Sequence, residues 1–272
     1  KRARWLMALY FVERTYAIFT SQDLLHWELL QKFDLPGDDE CPDLYPLTAD
    51  DGRTLWVYSG AHDMYFVGDF DENGLYQPIQ SVGQLSYNSQ SYAAQTYYYE
   101  PGKPVIRFAW NRSDIPGAPF NGSMCTPTEM TLKKHGDRYY LSALPIKSTE
   151  NLVVKSDKLD DFTLTHCTHE LGSKTCRISF TVKEGNLTCN LYGLEMKLDK
   201  NGLTCGESIL PRLKNEPMKV DIITDTNSVE IYLNGVANTV IAHVLDETKP
   251  TFTIHAEDPV EVQNLAVSEL SL

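Results

Sequence analysis

The sequence predicts an all-β protein, and three observations carry that prediction. Short segments rich in Tyr, Val, Ile, Phe and Thr recur along the 272 residues, turn dipeptides separate them, and a single stretch has apolar residues at helical spacing. The turn signals include Asp51-Gly52, Asn73-Gly74, His135-Gly136-Asp137, Asn201-Gly202 and Asn234-Gly235. Between them, antiparallel strands are expected at Leu55 to Ser59, Tyr65 to Phe70, Val105 to Trp110, Tyr139 to Leu144 and Val229 to Leu233. In the last of these Val229, Ile231 and Leu233 alternate with Glu230 and Tyr232, the period of a strand with one face in water.

The chain opens on Lys1-Arg2-Ala3-Arg4 and runs directly into the apolar stretch Trp5 to Val12, which reads as a buried strand without a lead-in. Residues upstream of Lys1 are therefore expected to be missing. The helical spacing lies in Asp23 to Leu30 and predicts a single turn, because strands press on both sides. Pro145-Ile146-Lys147 begins a polar stretch through Lys158 that reads as a linker region, dividing residues 1–146 from 147–272. Beyond it the alternation becomes shorter and more regular, with strands at Val220 to Ile223 and Phe252 to His255, as in a β-sandwich of roughly 100 residues.

A formal charge of -13, from 37 acidic and 24 basic residues, gives no electrostatic footprint for nucleic acid or an anionic membrane surface. No apolar run approaches the ~18 residues of a membrane span. The 15 Tyr, 10 Phe and 4 Trp suit either a well-packed β core or the stacking surface of a neutral sugar site. The six cysteines show no Cys-x-x-Cys pair and no His at zinc-ligand spacing, so no metal site is expected. Their irregular spacing fits reduced, buried thiols better than three disulfides, which slightly favours the cytoplasm and leaves the compartment unknown. No Gly-x-Ser-x-Gly elbow supports a serine hydrolase.

The strongest local signal is Asp39-Glu40-Cys41-Pro42-Asp43-Leu44-Tyr45-Pro46, where acids flank a Cys-Pro pair and two prolines stiffen the backbone. On composition alone, with Asp38 beside it, this also reads as an acidic surface loop. The segment Glu40-Cys41-Pro42-Asp43-Leu44-Tyr45 resembles the Glu-Cys-Pro-Asp-Leu-Phe signature of glycoside hydrolase family 32, the β-fructosidases. The likeness continues in order: Arg4-Trp5-Leu6-Met7 is similar to Lys-Trp-Val-Met, and Ser21 to Glu28 to the family's Ser-x-Asp-Leu-x-x-Trp turn. Tyr65 to Asp71 resembles Tyr-x-x-Gly-x-Phe-Asp, Tyr92-Ala93-Ala94-Gln95 resembles Tyr-Ala-Ala-Gln, and Asp225 to Gly235 resembles a strand of the appended sandwich.

The resemblance implies an incomplete five-bladed β-propeller in residues 1–146, followed by a C-terminal β-sandwich. At about 40–50 residues per blade, the first part builds only about three blades. By resemblance Glu40 is the acid/base of a retaining glycosidase acting on β-fructofuranosyl bonds in sucrose, a sucrose phosphate or a fructan, with no cofactor. Such an acid needs a raised pKa, supplied by burial and by a second carboxylate about 5–5.5 Å away. Asp43 belongs with the residues that support the site, with substrate contact as its other reading. Tyr92, His62 and Trp110 are candidates for substrate contact, with Asp63 beside His62. Loop or core packing is the competing role for His62 and Trp110, and Tyr97-Tyr98-Tyr99 reads as packing.

The family's nucleophile sits in an Asn-Asp-Pro-Asn-Gly segment that does not occur here, nor does its Arg-Asp-Pro, and Asp114-Ile115-Pro116 lacks the Arg. The chain by itself is therefore expected to be inactive. Two departures lie within the matched region: Leu85-Ser86-Tyr87-Asn88 loses an acid, and Thr128 stands for an Arg that nothing nearby replaces. They, with the absent nucleophile, support the alternative of a non-catalytic carbohydrate-binding relative, and a structural propeller module is a third reading. An incomplete propeller leaves an unpaired sheet edge, from which self-association is expected.

Overall fold

The computed structural model describes residues 4–11, 14–97, 100, 102–114, 117, 119–159 and 161–271. Three small antiparallel sheets precede one large one. The first holds β1 (Trp5–Tyr10), β2 (Thr15–Ser21) and β3 (Glu28–Asp34). The second runs β4 (Asp43–Thr48), β5 (Thr54–Ser59), β6 (Met64–Phe70) and β7 (Tyr76–Pro78), with β8 (Gly83–Gln84) beside β6. In the third, β9 (Ser91–Thr96) pairs with β10 (Val105–Asn111), which is flanked on its other side by β11 (Ser123–Met124) and β12 (Thr128–His135), and β13 (Arg138–Pro145) closes it.

These are three blades of the propeller, stacked face to face. Tyr16, Ile18, Leu35, Tyr58 and Tyr76 form the core between the first two, and Leu47, Leu55, Val57, Val67, Met130, Leu132 and Leu141 are among those between the second and third. Local chemistry sets the hairpins: Thr48 faces Thr54 across the Asp51-Gly52 turn, and His135 faces Arg138 across Gly136-Asp137. The strands expected at 55–59, 65–70, 105–110, 139–144 and 229–233 end within one residue of β5, β6, β10, β13 and β22.

The sandwich contains β14 (Val153–Lys158), β15 (Phe162–Glu170), β16 (Cys176–Val182), β17 (Leu187–Leu191), β18 (Leu194–Asp199), β19 (Gly202–Cys205), β20 (Ser208–Pro211), β21 (Met218–Asp225), β22 (Ser228–Leu233), β23 (Ala237–Ala242) and β24 (Thr251–Leu270). The 20-residue β24 joins its two layers: its first part pairs with β15 and β17, its last with β14 and β16. Strict alternation in β16 sends Cys176, Ile178, Phe180 and Val182 into the core.

Four sequence expectations differ from the structure. Asp23 to Leu30 forms no helical turn: the Asp23 carboxylate accepts from the N–H groups of Leu25 and His26, Leu24 takes a φ of 66°, and β3 begins at Glu28. The strand from Trp5 is half-exposed rather than buried, because β1 is the edge of its sheet, and Val12 lies outside the described residues. The expected linker contains a 3-10 turn, Lys147–Leu152, and then β14, whose polar residues reflect an exposed edge strand paired with β24. Finally, β22 has no wet face. Glu230 and Tyr232 are buried because the propeller packs on that side, where β13 and the turn after β22 meet through Ala143 N–H and Gly235 O at 2.8 Å. Gly235 has a φ of 73°, which favours glycine, and a Cβ there would also lie 2.6 Å from Ser142 Oγ.

Candidate active site

The turn from β3 into β4 builds the site. Asp38 is buried, and its carboxylate accepts from the N–H groups of Asp39 (2.8 Å), His62 (3.0 Å) and Met64 (3.0 Å), tying this turn to the one between β5 and β6. The two turns approach so closely that a Cβ on Gly60 would lie 2.5 Å from Asp38 Cγ and 2.6 Å from the Tyr16 hydroxyl. Held this way, Glu40 and Cys41 both adopt left-handed backbone, with φ of 58° and 38°. That conformation is costly for residues with side chains, and Cys41 also precedes a proline, so it persists only where surroundings fix it. The Tyr16 hydroxyl (3.0 Å) and Ala61 N–H (3.3 Å) donate to the Glu40 carbonyl and supply that restraint.

The Glu40 side chain meets Tyr92 of β9, whose hydroxyl donates to Glu40 Oε2 at 2.5 Å. This bond, with burial second, holds the Tyr92 hydroxyl protonated far above the usual range. Tyr92 is the hub of the cluster. The His62 ring meets it edge-on at 4.9 Å, the Trp110 ring at 6.4 Å, and the Arg112 guanidinium lies 4.0 Å over its face. Trp110 is 43% exposed, leaving ring surface free for a ligand. Four of the five sequence candidates, Glu40, His62, Tyr92 and Trp110, thus converge.

Asp43 does not join them at the surface. Its carboxylate accepts from Thr96 N–H (2.6 Å) and its own Leu44 N–H (2.9 Å), and burial pushes its pKa up, so its place is under the site, fastening β4 to β9. Glu40 is exposed in these 272 residues, so the described residues do not give it the burial that the resemblance implies. Burial pushes the Cys41 thiol up, which keeps it protonated and a poor nucleophile.

Sequence reasoning missed three parts of the site. Asp38, read with Asp39 as surface acid, is buried. Asp63, read with His62 as a rim residue, is instead paired with Arg107, both residues 4% exposed. Arg107 was not singled out at all; its backbone pairs with that of Thr128 across β10 and β12, while its guanidinium is bonded to Asp63 and Ser91. A signal was present, because Val105, Arg107, Ala109 and Asn111 share the inward face of one alternating strand, and a cation there requires a buried partner. Ser86 lies away from the cluster, in a parallel bridge with Asn238 of the sandwich. Tyr97 is 70% exposed and meets the Phe108 ring edge-on at 6.2 Å, while Tyr98, Tyr99, Ile115 and Pro116 lie outside the described residues.

Asp38, Asp39 and His62 bring possible metal-ligand atoms within 4.8 Å of one another. Both Asp38 oxygens are already occupied by backbone N–H groups, which makes the trio a turn lock. Burial raises the Asp38 pKa to about 6 from an ordinary 3.8, outweighing the N–H donors that favour the anion. Between about pH 4 and pH 6 the folded chain keeps a proton here that the unfolded chain has released, so this residue lowers stability as pH rises through that window. The stability advantage of the wild type over Asp38→Asn, from urea unfolding, is expected to shrink from pH 4 to pH 6.5. A constant or growing advantage would contradict the assignment.

Comparison with known proteins agrees with this fold. The chain is 28% identical over 176 residues to a fructan beta-fructosidase of Streptococcus mutans, covering 55% of this chain and 12% of that protein. It is 25% identical over 217 residues to the levanbiose-producing levanase of Bacillus subtilis, covering 71% of this chain and 40% of that one. Among solved structures, the exo-inulinase from Aspergillus awamori superposes with a TM-score of 0.79 at 19% identity, covering 98% of this chain and 65% of its own. The fructofuranosidase from Schwanniomyces occidentalis complexed with fructose gives 0.77 at 20%, covering 99% and 68%. These two likenesses establish the fold, and the chain spans well under two thirds of both curated relatives. The profile described as the glycosyl hydrolases family 32 N-terminal domain matches residues 1–143, more than half of the 272 residues, and the chain therefore belongs to glycoside hydrolase family 32.

Proposed function

We propose that this chain carries the acid/base half of a retaining β-fructofuranosidase site, with Glu40 as proton donor and the nucleophilic carboxylate supplied by residues outside these 272. The observation that carries the reading is the Glu40 carboxylate, set on a strained turn and bonded by Tyr92, whose own ring is bordered by those of His62 and Trp110. Glu40 protonates the leaving glycosidic oxygen as the opposing carboxylate attacks the anomeric carbon, then takes a proton from the water that releases fructose. Tyr92 fixes the Glu40 rotamer and stabilises the anion left after proton transfer. Trp110 offers an apolar face to the sugar, and His62 a polar edge. Sucrose, a sucrose phosphate or a fructan fits this chemistry.

Two results test the reading. The purified 272-residue chain is expected to release no fructose from sucrose or levan, because a lone acid lacks its partner; measurable release would overturn this. In a protein that also contains the Asn-Asp-Pro-Asn-Gly segment, methanolysis of sucrose should yield the β-methyl fructofuranoside, the product of retention, and an α product would rule the mechanism out. The alternative of a non-catalytic binder, supported by Thr128, predicts calorimetric binding of sucrose or short fructans by that protein without turnover.

Self-association is part of the same proposal. Among the described residues β1 pairs only with β2, and Trp5 and Leu9 are exposed beside its open edge. Light scattering of the 272-residue chain should show species larger than a monomer, and a clean monomer would contradict it.

A further inference from the structure

Glu230 takes no part in the reaction above, yet it is a carboxylate only 8% exposed, placed where the sandwich meets the third blade. Its Oε1 accepts from Thr126 N–H at 2.8 Å and from Thr126 Oγ1 at 2.9 Å, and its Oε2 accepts from the Tyr232 hydroxyl at 2.6 Å. Burying a carboxylate is expensive unless donors surround it, and an apolar side chain would fill the space at lower cost. What the carboxylate adds is a fixed position for Thr126, which lies on the other side of the interface.

That position propagates toward the site through short links. Thr126 follows Cys125, whose N–H donates to the Ala109 carbonyl at 2.9 Å, and Met124 pairs with Trp110. Trp110 in turn stands opposite Tyr92 in the β9–β10 register. Ala94, Ala109, Cys125 and Val240 seal the same contact as an apolar cluster. On the other flank, Tyr87 N–H donates to Asn238 O and Asn238 N–H to Leu85 O, both at 2.8 Å, so β23 holds the segment that leads into β9.

We propose that Glu230 is a positioning residue: from the sandwich it fixes the Thr126 turn, and through it the end of β10 that bears Trp110 and the strand that presents Tyr92 to Glu40. The sandwich thereby grips the β9–β10 pair from both sides. The link itself rests on geometry alone, and only its consequence for turnover rests on the fructosidase reading.

The test uses 19F NMR of the 272-residue chain labelled with 5-fluorotryptophan, which has four tryptophans, with the Trp110 signal assigned by Trp110→Phe. Glu230→Ala and Thr126→Val should both displace the Trp110 resonance and leave those of Trp5, Trp27 and Trp56 in place. Glu230→Gln, which keeps an acceptor for Thr126, should restore most of the wild-type shift. Val229→Ala, whose side chain points into the sandwich core, should lower Tm without moving Trp110. In the protein that contains the nucleophile segment, Thr126→Val should lower kcat on the order of tenfold with a smaller change in KM. An unmoved Trp110 resonance in Glu230→Ala and Thr126→Val overturns the link, as does an equal displacement by Val229→Ala. Wild-type kcat in Thr126→Val overturns its role in catalysis. Should Glu40→Gln prove fully active, the fructosidase reading falls while a displaced Trp110 signal still upholds the link.

Discussion

Glu40→Gln, made in a protein that also contains the nucleophile segment, is expected to lower kcat for fructose release from sucrose by about 10²–10⁴-fold, the span that general acid–base catalysis contributes. The substitution is nearly isosteric, and its amide oxygen still accepts from the Tyr92 hydroxyl, so the turn and the ring cluster stay in place. What disappears is the transferable proton. KM should therefore change little, the pattern of an interaction made only in the transition state.

Leaving-group chemistry sharpens this expectation. An aryl fructofuranoside such as the p-nitrophenyl compound departs without protonation, so the first step on that substrate should be slowed far less than on sucrose. The second step still needs a base to activate water. Azide needs no such activation, and it should accelerate turnover of the variant by giving the β-fructosyl azide. Equal losses on sucrose and on the aryl substrate, or rates near wild type, would remove Glu40 from the acid/base role.

Much of this arrangement was legible in the sequence because the signals are local. Alternation in Val105 to Asn111 and the turn at Asp51-Gly52 decide where strands begin and end, and each depends on neighbours a few residues apart. The Glu40 to Tyr45 signature likewise singled out the candidate acid from six consecutive residues. What failed was decided at long range. The alternation of Val229 to Leu233 is the same whether its polar face meets water or a second domain, and Glu230 is buried by contacts with Thr126, 104 residues away in sequence. Asp38 and Asp39 are adjacent and chemically alike, and only the approach of Gly60 and His62 buries one and leaves the other partly exposed. The helical spacing of Asp23 to Leu30 was real as a pattern, but Asp23 satisfied the turn N–H groups itself and β3 took up the remaining apolar residues.

The largest effect on stability is expected at the Asp63–Arg107 pair, which binds the second blade to the third. Arg107 Nε donates to Asp63 Oδ1 at 3.1 Å, its terminal nitrogen bonds Asp63 Oδ2, and the same nitrogen donates to Ser91 Oγ at 2.9 Å at the start of β9. Asp63 also sits at a φ of 60° and accepts Leu85 N–H at 3.1 Å, so charge pairing and backbone shape are joined at one residue. Asp63→Asn keeps the volume and the tolerance for left-handed backbone, and removes only the charge. An unpaired guanidinium would then remain in a site 4% exposed, a change that costs about 3–5 kcal/mol, against a total stability of only about 5–15 kcal/mol for a typical domain. Arg107→Met leaves the opposite charge behind and should cost a similar amount. Combining them removes both charges, so the double variant should be more stable than the two losses summed, by about 2 kcal/mol or more in urea unfolding. Additive losses would show that the two residues act independently. Losses below about 1 kcal/mol would show that water reaches the pair and that the blades are held by their apolar faces alone.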